Sequence, residues 1–116
     1  MKKQEIISKL TNGRDLVITI SYDNGKDYPY NPKGIYARLT EMIVRRGVDA
    51  NGREYDLSEW HSNWPSEKVL LERVERGSQK KVDTWCSDIQ KNLVNIVDRW
   101  NDSKYIRACE HTASPW

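Results

Sequence analysis

From Val82 to Trp100 the apolar residues Val82, Trp85, Cys86, Ile89, Leu93, Ile96, Val97 and Trp100 recur at offsets 0, 3, 4, 7, 11, 14, 15 and 18. This spacing keeps one stripe on one side of an α-helix for about five turns. Ser78 is placed to cap the start of that helix. A helix with a single apolar side has to lay it against another element, so the rest of the chain must supply a matching surface.

The clearest source of that surface is "DLVITISY", residues 15–22, which alternates. Leu16, Ile18, Ile20 and Tyr22 fall on one face of a strand, and Val17, Thr19 and Ser21 on the other. "DNG" then turns the chain and "KDYPY" returns as a hairpin partner, with Pro29 confining it to an edge. A two-residue Asn24-Gly25 turn pairs Tyr28 with Ser21 and Tyr30 with Thr19, placing both tyrosines on the polar face. A three-residue loop pairs Tyr28 with Ile20 and Tyr30 with Ile18, placing them on the apolar face. The second register is favoured because it leaves one side consistently apolar.

Three further segments have helical spacing. "KQEIISKLTNG" groups Ile6, Ile7 and Leu10 before an Asn-Gly stop. "NPKGIYARLTEMIVRRG" groups Ile35, Leu39, Met42 and Ile43 between an Asn31 cap with Pro32 and a closing Gly47. "PSEKVLLERVERG" carries Val69, Leu70, Leu71 and Val74. "VDANGREYDL" is a loop or a second small hairpin around Asn51-Gly52. The predicted fold is α+β: a small antiparallel β-hairpin or sheet packed against three to four helices, with one long C-terminal amphipathic helix as the spine. A chain of 116 residues holds one domain, expected over 1–110, with 111–116 a frayed tail.

Composition narrows the setting. The chain is 37% hydrophobic and 31% charged, as for a globular protein. It lacks Phe and has five Trp and six Tyr, aromatics whose polar atoms draw them to a core's rim or a binding face. Residues 1–53 have ten Lys/Arg against six Asp/Glu; residues 54–116 have nine against eleven. Neither half is a nucleic-acid tail. "MKKQEIISKL" has no signal-peptide core, and no apolar run approaches a membrane span. Two cysteines suit a reduced cytosol better than a disulfide framework, so a cytoplasmic location with no membrane association is expected.

Catalytic and cofactor motifs are absent from the sequence. The glycines at 13, 25, 34, 47, 52 and 77 do not cluster into a phosphate cradle. Cys109 and His111 lack the spacing of a zinc half-site, and Cys86 lies on the apolar stripe. "DANGREYD" places Arg53 where a calcium loop needs an oxygen. No metal or cofactor is expected. His61 with Glu59 and Asp56 is the one acid–base grouping that a small hydrolase or nuclease would use.

Two surfaces are candidates for binding. Trp60 and Trp64 read first as a lid over the apolar face of the hairpin, with Trp64 as a staple at the entry to a helix begun by Pro65; the binding alternative makes Trp60, with Tyr55 and His61, an exposed anchor of the kind that dominates protein interfaces. The second is a basic helix face of Lys33, Arg38, Arg45 and Arg46, joined by Arg53, with Tyr28 and Tyr30 available to stack bases. The absence of a catalytic set favours a small non-enzymatic protein that binds another protein. An inhibitor or accessory factor, such as phages and mobile elements encode, has this profile. A homodimer through Val94 is a variant, and a nucleic-acid binder is the alternative.

Overall fold

The computed structural model describes residues 3–25 and 32–110, with residues 103–110 as backbone only. The chain runs through β1 (Gln4–Lys9), β2 (Asp15–Asp23), β3 (Gly34–Met42), β4 (Arg46–Val48), β5 (Glu54–Asp56), β6 (Ser66–Arg73), α1 (Gln79–Lys91) and α2 (Leu93–Glu110). Strands β1, β2, β3 and β6 form a four-stranded antiparallel sheet in that order, and β4 and β5 form a separate two-stranded ribbon.

This corrects the expected architecture. The segments read as helices around Ile6, Ile35 and Val69 are strands β1, β3 and β6, and two helices, not three or four, cover the sheet among the described residues. The reason is clearest in β3. Ile35, Ala37, Leu39 and Glu41 are all fully buried, whereas Arg38 between them is exposed. The strand therefore has period two, but a carboxylate occupies one inward position. With Glu41 taken as a solvent marker, the remaining apolar residues fit a helix equally well. Strand β6 hides its period differently. Its pairing shifts between Tyr36↔Leu70 and Ile35↔Glu72, so Leu71 is an extra, bulged residue. Gly34 lies beside this bulge, where a Cβ would collide with the Glu72 carbonyl oxygen.

The expected hairpin is also corrected. Strand β2 pairs with β3 from Asp15↔Met42 to Asp23↔Gly34, not with the segment after Gly25. Ile18 lies between Ile6 and Leu39, and Ile20 between Gln4 and Ala37. At Ile18, Thr19 and Ile20 both edges of β2 are occupied, by β1 and by β3. Tyr28 and Tyr30 themselves lie outside the described residues.

The Val82–Trp100 stripe is carried by two consecutive helices. Ser78 caps α1 by accepting from the Lys81 amide at 3.4 Å. At Asn92 the backbone leaves the helix (φ −106°, ψ 11°), and α2 begins at the next residue. Val82, Cys86, Ile89, Ile96 and Trp100 pack with Ile6, Leu10, Leu16, Ile18, Ile20, Ile35, Ala37 and Leu39 in one cluster. Each fully buried aliphatic side chain there contributes about 1.5–3 kcal/mol. Polar ties fasten α1: Trp85 Nε1 donates to Glu72 at 3.0 Å, Lys81 pairs with Glu72, and Gln4 donates to Asp83 at 2.8 Å. No helix among the described residues is long and apolar enough to cross a membrane.

Candidate functional site

The chain leaves the sheet after Met42 and re-enters it at Ser66, opposite Thr40. The intervening residues form an arm. Its ladder begins at Ile43, whose amide donates to the Glu59 carbonyl at 3.0 Å while Glu59 returns a bond of 2.8 Å. It continues through Leu57 N–H to the Arg45 carbonyl at 2.9 Å and then through β4 and β5. At the tip, the Asp49 carboxylate accepts from the amides of Asn51 and Arg53, both at 2.9 Å. The "DANGR" sequence thus closes a hairpin turn with its own carboxylate. Gly47 faces Tyr55 across the ribbon, and the tyrosine ring lies where a Cβ at 47 would stand.

A buried polar corner fixes the root of the arm. Glu41 is fully buried and accepts from Trp100 Nε1 at 2.6 Å, Arg14 Nη1 at 3.0 Å and Asn12 Nδ2 at 3.3 Å. These donors offset the cost of burying a charge. The Arg14 guanidinium lies 4.3 Å from the Trp64 ring centre, and the His61 ring lies 4.5 Å from that of Trp64. The Glu41 amide donates to the Pro65 carbonyl at 3.1 Å. On the outgoing side, Asp15 accepts from the Val44 amide at 3.1 Å and pairs with Lys9 at 3.1 Å. Trp64 therefore holds the return of the arm against Arg14. The expected helix staple does not form, because Pro65 leads into strand β6.

The predicted anchor residues all lie on or beside this arm. Trp60 is 54% exposed and Tyr55 46% exposed. Val48 and Leu57 are exposed as well. Among the described residues, these four are the majority of the six large apolar side chains left open to solvent; Ile7 and Val94 are the other two. His61 lies on the Trp64 ring, while Glu59 pairs with Arg45 at 3.8 Å. Asp56 accepts from the Ser58 amide at 2.7 Å, and Ser58 holds its carboxyl below the usual range. Each member of the suggested acid–base group thus has a separate partner.

The basic residues do not share a helix face, since their carrier is a strand and the arm. Lys33 pairs with Glu75 at 3.7 Å, Arg45 with Glu59 at 3.8 Å and Arg46 with Glu5 at 3.7 Å. Arg38 projects from the middle of β3 on the face away from the helices, opposite Thr19 and Lys68. Among the described residues no group of three or more His, Cys, Asp or Glu side chains could hold a metal ion.

No family model, curated protein or solved structure matches this chain. Sequence reasoning missed Arg14, Asn12 and Glu41, which position the arm. Their signal was the buried carboxylate on β3, legible only once the strand's alternation is known.

Proposed function

We propose that this chain acts by binding another protein, with the β4–β5 arm and the segment through Trp60 as the contact. The observation that supports this reading is the concentration of Val48, Tyr55, Leu57 and Trp60 within thirteen residues of exposed arm. Trp and Tyr supply large contact area with few rotors and are enriched at interface hot spots. A two-stranded ribbon has little stability of its own, so its apolar residues serve no core. The arm is anchored at its root by Asp15 and by the Glu41 corner, which limits the ordering cost of presenting it to a partner. Its charges are of both signs (Arg45, Arg46 and Arg53 against Asp49, Glu54, Asp56 and Glu59). The partner that fits is a protein with an apolar pocket and a mixed polar rim.

The test is capture from a nuclease-treated lysate of the native host by the immobilised protein, alongside the Leu57→Ser/Trp60→Ala double variant. A protein held by the parent and released by the variant, with both folded, supports the reading. Equal retention by both removes the arm as the contact. Recovery only when nucleic acid is left intact moves the function to a nucleic acid.

A further inference from the structure

The face of the sheet away from the helices carries a groove of about 630 Å³ toward the Asp23–Gly34 end, apart from the exposed arm residues. Thr19, Arg38 and Lys68 stand side by side across three strands, Ser21 pairs with Tyr36 in the next row, and Lys3 lies just before β1. The row places two cations, Arg38 and Lys68, directly opposite each other on one face, an arrangement that destabilises a strand pair. Lys68 is drawn aside: it pairs with Asp23 at 2.8 Å and lies 4.5 Å from the Tyr36 ring centre. Arg38 is exposed and, among the described residues, has no carboxylate within ion-pair distance. The hydroxyls of Thr19 and Ser21 beside it make no hydrogen bond to any described residue.

Among the described residues, three cations therefore line the groove with one carboxylate, a local charge of +2. Asp23 stays ionised, because its bonds from Lys68 and then from the Gly25 amide hold its carboxyl below the usual range. A single carboxylate ligand would leave this charge half compensated. A phosphate monoester, with about −1.5 to −2 at neutral pH, balances it. Its oxygens match a guanidinium fork flanked by hydroxyl donors. The volume falls in the range of about 300–1,000 Å³ usual for small-molecule sites. The Tyr36 ring is buried and covered by Lys68, and its hydroxyl donates to the Pro32 carbonyl at 2.7 Å. Among the described residues it offers no platform for stacked bases.

We infer that this groove binds a small phosphorylated molecule, with Arg38 as the phosphate-holding residue and Thr19 and Ser21 as flanking donors. The test is an amide NMR titration of the whole chain at constant ionic strength with inorganic phosphate, ribose 5-phosphate and, as a control, acetate. Saturable shifts confined to residues 19–21 and 36–38 are expected with both phosphates and not with acetate. Arg38→Gln should weaken ribose 5-phosphate by about tenfold or more at unchanged melting temperature, and Lys33→Gln should leave it unaltered. The inference is overturned by an absence of saturable shifts, by an equal response to acetate, or by full affinity in Arg38→Gln. A single-stranded oligonucleotide binding more than about tenfold tighter than ribose 5-phosphate would also overturn it, in favour of a nucleic-acid site.

Discussion

At the Glu41 corner the tryptophans are held by charged partners, whereas a few residues further along the chain the arm leaves comparable side chains in water. Trp100 is fully buried with its indole N–H on Glu41, and Trp64 lies between Arg14 and His61. Trp60 and Tyr55 have apolar area of the same kind but no core to cover. The difference is one of partners. A buried tryptophan needs an acceptor for its N–H, and the fold supplies one carboxylate that serves Trp100, Arg14 and Asn12 together. The arm closes its own ladder, with Asp49 and Asp56 accepting backbone amides, so Val48, Leu57 and Trp60 are left without a core to fill. Stability is concentrated in the corner, and the capacity to bind in the arm.

Trp100→Ala should break that contrast most severely. It opens a cavity under both helices and should cost about 3–5 kcal/mol, read from urea or thermal unfolding. Glu41→Leu keeps the volume but strands the Trp100 N–H and the Arg14 charge. Arg14 still reaches solvent at 29% side-chain exposure, so the expected loss is at the low end for a broken buried pair, about 3 kcal/mol. A loss below 1 kcal/mol would show that the corner does not anchor the fold.

Acid sharpens the comparison at a smaller scale. Asp23 is held below its usual range by Lys68 and the Gly25 amide, Glu72 by Lys81 and then Trp85, and Asp83 by Gln79 and then Gln4. Their folded pKa values are depressed. The stability they contribute is therefore fully present above the ordinary carboxylate range and is lost as pH falls below about 4 through the folded values. Glu72→Gln should flatten that acid limb in a pH series of melting temperatures. An unchanged limb would mean that Glu72 titrates alike in both states. The smallest effect is expected in the arm: Trp60→Ala should shift stability by no more than about 0.5 kcal/mol. A loss of several kcal/mol there would return Trp60 to the core and remove the basis for the proposed contact.

The sequence by itself determined the elements whose pattern is self-contained. The Val82–Trp100 spacing admits a helical face, though not its break at Asn92, "DLVITISY" admits a half-buried strand, and Asn51-Gly52 marks a turn that the sequence left open between a loop and a hairpin. The exposure of Trp60 and Tyr55 was legible as a possibility, because neither had an assigned place in a core. Tertiary structure decided the rest. Segments of eight or nine residues such as Ser66–Arg73 and Gly34–Met42 are too short for helical and strand periods to separate when a charge occupies an inward position or a bulge shifts the count. Glu41 is tolerated inside β3 because Trp100, Arg14 and Asn12, far away along the chain, meet it there. The Arg38 groove exists because pairing brings Thr19 and Lys68 to either side of it. Periodicity is a local property of the chain, but the compensation of a buried charge and the company of an exposed one are properties of the assembled sheet.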